Sequence, residues 1–259
     1  MVRLPALDHA VIAVRDRMDE AVEIYRGLGF FLTPRGHHTL GSINHLAMFG
    51  DSYLELIGFE PGAETVRAEI RDAPLGFNAL VLGTDDAEAT RKELNDRGVA
   101  ADAPLDFSRP VAIKGRKRNA RFRTLRPSEP APFGRFYFCE HRTRELVWRD
   151  EWMRHENGAR TITRAVIASA EPRVSARYFA RMFGAGAVRT AEGGYSLTLP
   201  NARIDMIEAE FLKRRYGDAL PDAGGRGDHL ALLTIAAGSA SRIVPAAQAM
   251  NACLEFETP

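Results

Sequence analysis

The sequence has little of several features that mark particular classes of protein. Its two cysteines, Cys139 and Cys253, lie far apart, which favours reduced thiols over a disulfide framework. There is no apolar run of about 18 or more residues, the length that a membrane-spanning helix needs, and no signal-peptide core at the N-terminus. A formal net charge of +1 provides no global field to attract nucleic acid or a membrane surface. These absences predict a cytoplasmic protein with no nucleic-acid or membrane partner.

Lysine is also scarce, since only four of the 35 basic residues are lysine. One basic run, at residues 114–123, stands out in the otherwise neutral chain. A nucleic-acid site is disfavoured because a single run lacks the extended basic face that phosphate binding needs. The favoured interpretation is a solvated strand and turn. A mobile cationic rim that draws an anionic substrate toward a binding site is the alternative.

The most informative feature present is an apolar, strand-like pattern that occurs four times. A helical pattern follows each of the first three copies and ends at Gly29, Gly98 and Gly184. Internal repetition of this kind divides a chain into similar structural units. The four copies are residues 7–14, 76–82, 161–168 and 227–233.

Further extended patterns follow the helical ones, so each unit is predicted to be a strand, a helix and then several strands. This order predicts an α+β fold. We expect one domain at residues 1–150 and a second at 151–259, which holds a degenerate third unit and a truncated fourth. The later strands are predicted at residues 30–34, 42–49, 53–59, 135–141, 195–199 and 202–207.

Two of the predicted strands each place one potential metal ligand inside an otherwise apolar run: His9 in the strand at residues 7–14 and Glu55 in the strand at residues 53–59. Burying such groups is costly unless they are paired or bound to a metal. Side chains alternate between the two faces of a strand, so His9 shares a face with Val11, and Glu55 shares a face with Tyr53. Asp8 is then expected on the opposite face.

The strand at residues 135–141 extends this argument. Phe136 and Phe138 belong in the core beneath the helices, which turns Tyr137, Cys139 and His141 to the other face and leaves Glu140 with the phenylalanines. His9, Glu55 and His141 would then form a two-His, one-carboxylate set suited to Fe(II), Mn(II) or Zn(II). For each of the three, the alternatives are a hydrogen-bonded core residue or a site that has lost its metal.

This arrangement resembles the vicinal-oxygen-chelate superfamily. Residues 7–148, including the segments 36–45 and 53–56, look like its glyoxalase-like branch, which has the glyoxalase, bleomycin-resistance and extradiol-dioxygenase fold. The resemblance implies βαβββ modules that pair into curved mixed sheets, a cup around a divalent metal (Zn, Mn, Fe or Ni), and helices on the outer faces.

The sequence departs from the superfamily pattern at Asn78, where many relatives have a metal-binding His or Gln. An amide is a poor ligand for soft metals, although it can orient a bound water or a substrate oxygen. A three-ligand set is what the extradiol dioxygenases of the superfamily use, whereas glyoxalase I uses four protein ligands. The ligand count therefore leaves both activities open.

Other residues are expected to line the cup. By comparison with related sequences, Asn44 and His45 border it, and we assign His45 a catalytic role beside Glu55. His37 and His38 lie in a predicted loop, where exposed and structurally neutral histidines are the favoured interpretation. The predicted substrate-binding residues are Asn44, Tyr53, Asn78, Tyr137 and Cys139; for the two tyrosines and the cysteine a packing role is the alternative.

The function implied is a metal-dependent enzyme that acts on a small oxygenated metabolite by glyoxalase-type isomerase or lyase chemistry, through a metal-stabilised enolate. The alternatives are a ring-cleaving, extradiol-type dioxygenase and a non-catalytic protein that sequesters a drug or metabolite in the cup. In the C-terminal half, Arg164, Asp205 and His229 fall at positions equivalent to His9, Glu55 and Asn78. An arginine there would repel a cation, so this half is expected to buttress the first domain or to form a homodimer.

Overall fold

The computed structural model describes residues 4–113, 115–238 and 240–258, so Lys114 at the start of the basic run lies outside the described residues. The described residues form two mixed sheets. The first has the strand order β2-β3-β4-β1-β5-β8-β7-β6. Its strands are β1 (Leu7–Arg15), β2 (Gly36–His37), β3 (Ile43–Met48), β4 (Tyr53–Gly58), β5 (Gly76–Gly83), β6 (Leu105–Ile113), β7 (Arg116–Leu125) and β8 (Arg135–His141).

The second sheet has the strand order β10-β11-β12-β9-β13-β15-β14. Its strands are β9 (Ala159–Ser169), β10 (Val188–Ala191), β11 (Gly194–Thr198), β12 (Arg203–Glu208), β13 (His229–Ala237), β14 (Arg242–Val244) and β15 (Cys253–Glu257). The helices are α1 (Met18–Gly27), α2 (Ala68–Arg71), α3 (Ala87–Asp96), α4 (Pro172–Phe183) and α5 (Ala209–Tyr216). Within the described part of the chain, none of the helices has the length and apolarity that crossing a membrane requires.

The predicted repetition is present in both sheets. Strand β1 pairs in parallel with β4 and antiparallel with β5, and β9 pairs in the same two ways with β12 and β13. In each sheet the first strands of two modules therefore lie side by side at the centre. The α+β class and the paired βαβββ modules are confirmed. The fourth module has three strands and no α-helix among its described residues.

Most predicted strands differ from the observed ones by a residue or two at each end, but the strand predicted at residues 30–34 is wrong. That segment runs beside β3 and makes one backbone hydrogen bond to it, from Thr33 N–H to Leu46 O at 2.9 Å. Pro34 has no N–H to continue the ladder. Pairing with β3 resumes only at Gly36, as the short strand β2.

The convex faces of the two sheets pack toward each other, with α1, α3 and α4 contributing to one shared apolar core. Helix α3 begins at Ala87, because the Asp86 side chain accepts hydrogen bonds from the N–H groups of Glu88 and Ala89. Helix α4 joins the halves through its aromatic residues, since Phe179 stacks on Phe133 with ring centroids 5.4 Å apart.

The concave face of the first sheet is closed into a cup. Its two edges meet at β2 and β6, where Thr39 N–H donates to Ser108 O at 3.0 Å. The connector after β8 covers this face, since Trp152 packs into the apolar cluster inside the cup. The concave face of the second sheet is instead covered by α5, through Leu212 and Tyr216. The two concave faces are therefore covered in different ways, the first by a connector and the second by a helix.

Replacing Phe179 with alanine is expected to lower the free energy of unfolding by about 3–5 kcal/mol, because it leaves a cavity between the two halves. Phe179 is fully buried, whereas Val174 on the same helix is 42% exposed. The matched control Val174→Ala should change stability by about 0.5 kcal/mol or less. Chemical denaturation monitored by circular dichroism measures both. Equal destabilisation by the two variants would contradict the shared core.

Candidate active site

The floor of the cup is formed by His9 on β1 and Glu55 on the adjacent parallel strand β4. The register pairs Val11 with Glu55 and His9 with Tyr53, so the two side chains project from the same concave face, as strand alternation predicts. Nε2 of His9 lies 3.7 Å from Oε2 of Glu55. The two residues are 3% and 5% exposed. A basic nitrogen and a carboxylate thus meet in a nearly dry cavity.

Asp8 is a site residue that the sequence pattern misplaces. The register of β1 against β5 shifts between Leu7 and His9, which marks a bulge that breaks the alternation. Asp8 Oδ1 accepts a hydrogen bond from Nδ1 of His9 at 2.5 Å and another from Nε2 of His141 at 3.0 Å. Burial raises the pKa of Asp8, but the hydrogen bonds and charges of the two histidines outweigh it and hold the pKa well below its usual range. Asp8 is therefore an ionised acceptor that fixes both rings.

His141 does not join His9 and Glu55 as predicted. It lies on the concave side, where its ring packs against Trp148 with centroids 4.9 Å apart, but its Nε2 is used by Asp8. Among the described residues, the only cluster of three potential ligands within 4.8 Å is Asp8, Cys139 and His141, which contains neither His9 nor Glu55. The predicted three-residue set is thus not assembled, because Asp8 stands between the two histidines.

The strand register predicted around His141 holds. Glu140 faces the helices, where its Oε2 accepts a hydrogen bond from the N–H of Ala87 at the start of α3, at 3.0 Å. His141 is opposite Phe122 of β7 and faces the cup. The structure therefore agrees with the predicted strand face of His141 and differs from the prediction in the residue that His141 contacts.

Asn44 lies in the cup and orients Glu55. Its side-chain amide donates to Oε1 of Glu55 at 2.6 Å and lies 3.3 Å from Nε2 of His38. His38 hydrogen-bonds through Nδ1 to Ser42 at 2.9 Å. Burial lowers the pKa of His38 to about 4, so its ring is neutral at pH 7. The expectation of an exposed histidine fits His37, which is 57% exposed but lies in β2 and not in a loop, and it is wrong for His38, which lines the cup.

His45 is not in the cup. In β3 it pairs with Leu56 of β4, whose side chain is in the convex core, whereas Asn44 pairs with Ile57 on the concave side. Nδ1 of His45 contacts the carbonyl oxygen of Thr33 at 2.7 Å, and Nε2 accepts from Arg35 at 3.3 Å. The assignment of a catalytic role to His45 is corrected on this ground: the side chain points away from the site.

The other predicted cup residues of β4 and β8 do line the cavity. Tyr53 stacks on His9 with ring centroids 4.3 Å apart, and the hydroxyl of Tyr137 lies 3.3 Å from Nε2 of His9. Burial raises the pKa of Tyr53, Tyr137 and Cys139 well above their usual values. The phenols and the thiol are therefore neutral. They can donate hydrogen bonds, and Cys139 is not a thiolate nucleophile.

The second module offers no carboxylate or imidazole at the positions corresponding to His9 and Glu55. Asn78 is the extra residue of a bulge between β5 and β1, and its Oδ1 is buried with no hydrogen-bond partner among the described residues. Tyr137 pairs with Val81 of β5 as Glu55 pairs with Val11 of β1. The floor of the cup is therefore asymmetric, with His9 and Glu55 on one side and the phenol of Tyr137 on the other, and the residues that line the cavity do not include Asn78.

Four arginines that the sequence analysis did not single out complete the wall of the cup. Arg109 is only 3% exposed, and its Nη2 has no hydrogen-bond partner in the described structure. Two of the four could have been found by alternation, since Arg109 shares a face with Val111 and Arg135 shares a face with Tyr137. The four are Arg67, Arg109, Arg126 and Arg135.

The C-terminal half has a larger cavity, of about 380 Å³ against about 40 Å³ in the N-terminal cup, but its charged groups pair with one another. Arg164 Nε donates to Asp205 at 2.6 Å, in the register predicted to match His9 and Glu55. His229 is not the counterpart of Asn78, because the equivalent bulge residue in β13 is Ala231. Chemistry therefore favours the smaller, N-terminal cavity as the active site.

Comparison with known proteins agrees with this architecture. No curated protein matches the chain. A hypothetical protein from Staphylococcus aureus is similar over 98% of this chain and 99% of its own, with a TM-score of 0.69 and 16% identity. A mutant 4-hydroxymandelate synthase from Streptomyces coelicolor is similar over 98% of this chain and 92% of its own, with a TM-score of 0.52 and 11% identity.

A xylose isomerase-like TIM barrel/4-hydroxyphenylpyruvate dioxygenase fusion protein is similar over 91% of this chain and 37% of its own, with a TM-score of 0.54 and 14% identity. At such identities these structures establish the fold alone. The model of the glyoxalase-like domain family matches residues 7–183, which is more than half of the chain. The chain therefore belongs to the glyoxalase-like domain family.

Proposed function

We propose that the protein is a metal-dependent enzyme that isomerises or cleaves a small oxygenated metabolite in the N-terminal cup. The observation that carries the proposal is the pair formed by Nε2 of His9 and Oε2 of Glu55, 3.7 Å apart on the floor of the cup. Both residues line the cavity of the cup, and both side chains are held in place by further hydrogen bonds.

The residues present fit a divalent metal. Two ligand atoms about 2.1 Å from one ion and about 110° apart lie about 3.4 Å from each other, close to the observed separation of His9 and Glu55. The hydrogen bond to Asp8 leaves the lone pair of His9 on Nε2, as in the carboxylate–histidine pairs that support metal ligands. The Tyr137 hydroxyl, 3.3 Å from the same nitrogen, is a third oxygen at the site. A bound divalent metal would supply Lewis-acid stabilisation of negative charge on substrate oxygens.

The side chains that line the cup have further roles in orienting the ligand groups, donating hydrogen bonds and excluding water. Asn44 donates a hydrogen bond to Oε1 of Glu55 and so directs Oε2 toward His9, as the ligand atom of the pair. Tyr137 keeps its proton and can donate a hydrogen bond to a substrate oxygen. Trp148, whose ring lies 5.4 Å from that of Tyr53, helps to exclude water from one side of the site. Exclusion of water strengthens each of these electrostatic contacts.

A sequestering protein is the second candidate. Asn78 and Tyr137 stand where a second module of this fold would supply further ligands, which favours a cup that binds without turnover. The ring-cleaving dioxygenase has no observation of its own to favour it. Turnover that depends on added metal separates the enzyme from the sequestering protein.

The His9→Ala and Glu55→Ala variants are each expected to weaken binding of Mn(II) or Zn(II) by at least about 100-fold, because each removes one of the two strongest ligands. The His141→Ala variant should change the affinity by less than about ten-fold, since His141 contacts Asp8 and not the proposed metal position. Calorimetric titration of chelator-treated protein measures all three.

The matched control is Glu140→Gln. Glu140 is next to His141 in β8 but lies on the helix side of the sheet, so this variant should bind metal like the wild type. The metal proposal is refuted if His141→Ala abolishes binding while His9→Ala does not. In that case Asp8, Cys139 and His141 would be the ligands.

The Asp8→Asn variant tests the support of His9. The pKa of Asp8 is depressed in the folded protein, so its ionised form stabilises the fold above the unfolded-state pKa of about 3.9. That stabilisation is lost as the pH falls below about 4 toward the folded-state value. We expect Asp8→Asn to lower the free energy of unfolding by about 2–3 kcal/mol at pH 7, with the difference from wild type shrinking below about pH 4.

Denaturant titrations at pH 7, 5 and 3 measure this difference. Asp106→Asn is the control, because Asp106 is 55% exposed and pairs with Arg123 on the surface, where such pairs contribute about 1 kcal/mol or less. A difference for Asp8→Asn that stays constant down to pH 3 would show that Asp8 is not the ionised acceptor.

A further inference from the structure

Three of the arginines that line the cup form a group on one wall. Arg67 lies in the loop before α2, Arg126 follows β7 and Arg135 begins β8, so three distant segments bring them together. We refer to Arg67, Arg126 and Arg135 as the arginine trio. The pKa of Arg67 is lowered by burial and by the neighbouring charges of Arg135 and Arg126. The three guanidinium groups therefore repel one another.

The protein supplies too little negative charge to balance the trio. Glu69 accepts hydrogen bonds from Nη2 of Arg126 at 2.8 Å and is paired with Nη1 of Arg67 at 3.1 Å. It is the one carboxylate in ion-pair contact with the trio among the described residues. One negative charge thus faces three positive ones.

Several N–H groups of the trio have no acceptor. Nε of Arg67, and Nε and Nη1 of Arg135, are buried without a hydrogen-bond partner in the described part of the chain. A buried, unpaired cationic donor costs several kcal/mol, so native proteins seldom retain one without a use. The guanidinium groups of Arg126 and Arg135 lie 5.8 and 5.4 Å from the ring of Tyr137, but contact with a ring face leaves the N–H edges unsatisfied.

The position of the trio relates it to the proposed reaction. Tyr137 has Arg126 and Arg135 over its ring, while its hydroxyl lies 3.3 Å from Nε2 of His9. The trio and the pair of His9 and Glu55 therefore line the same cavity, with Tyr137 between them. Arg109 is separate, since the charges that it faces are those of Glu55 and Tyr53.

We propose that the arginine trio is a binding subsite for an anionic oxygen group of the substrate, a carboxylate or a phosphate. The substrate class is then a small acid whose anionic end pairs with the trio and whose second oxygenated carbon faces His9 and Glu55. Guanidinium groups suit this role because they offer paired donors that match both oxyanions. The proposal deepens the function proposed above and rests on it for the orientation of the substrate.

The test uses metal-free, chelator-treated full-length protein in low salt. Malonate, inorganic phosphate and the neutral isostere malonamide are titrated by calorimetry. We expect one or both anions to bind with a Kd of about 1 mM or tighter, and malonamide to bind at least ten-fold more weakly. Binding of malonate alone identifies a carboxylate subsite, binding of phosphate alone identifies a phosphate subsite, and either result supports the proposal.

The variants Arg135→Gln and Arg67→Gln should each weaken anion binding at least ten-fold. Arg118→Gln is the matched control, because Arg118 is 56% exposed on β7, away from the trio, and its loss should change the affinity less than two-fold. The Tm of Arg135→Gln should equal or exceed that of the wild type, since one of three repelling cations is removed. A loss of binding with an unchanged Tm then cannot be ascribed to misfolding.

The proposal is overturned if neither anion binds, if malonamide binds as tightly as malonate, or if both trio variants bind like the wild type. The metal proposal is judged separately by the His9→Ala variant. If metal-free His9→Ala protein still binds the anion, the result supports the subsite even where the metal proposal fails. If the wild type binds metal but no anion, the subsite is rejected and the metal proposal stands.

Discussion

The site depends on the hydrogen bonds that one carboxylate, Asp8, accepts from two histidines. Without them the two rings would be buried polar groups free to turn, and their nitrogens would compete for Glu55 and Tyr137. The shared acceptor fixes Nδ1 of His9 as the protonated nitrogen. Nε2 then carries the lone pair and faces the cup. The same acceptor also explains why His141, although it lies on the same side of the sheet, belongs to a different cluster.

The two halves of the chain share the same module, but the concave faces of their sheets differ in how the polar groups are paired. In the C-terminal half, Arg164 and Asp205 satisfy each other and α5 covers the concave face. In the N-terminal half, the same two strand positions hold His9 and Glu55, and the groups around them keep unpaired atoms. Buried polar groups that lack partners are uncommon in a folded protein. Chemistry is assigned to the first cup, although its cavity is smaller, because its floor holds an imidazole beside a carboxylate where the second half has an arginine paired with an aspartate.

Much of the fold could be predicted because the strands carry a strong two-residue period. The strand at Arg135–His141 and the faces of Tyr53 and Tyr137 follow from that period alone. It fails at Asp8, because a bulge is invisible in a pattern of apolar residues. It also cannot choose between Asn44 and His45, which point to opposite faces, since the choice depends on how β3 pairs with β4. The arginine trio was missed because its members come from three segments that only the closed sheet brings together.

Tyr137 resolves an electrostatic conflict that the cup would otherwise contain. A wall of guanidinium groups favours an anion, whereas the proposed metal-binding floor favours a cation, and at short range each would weaken ligand binding at the other. At the position where the first module has Glu55, the second has a phenol. Its ring presents a negative face to Arg126 and Arg135, while its neutral hydroxyl meets His9 without adding charge. A carboxylate at this position would pair with the arginines and block the proposed subsite. The phenol in place of a second carboxylate and the cationic wall therefore have a common physical cause.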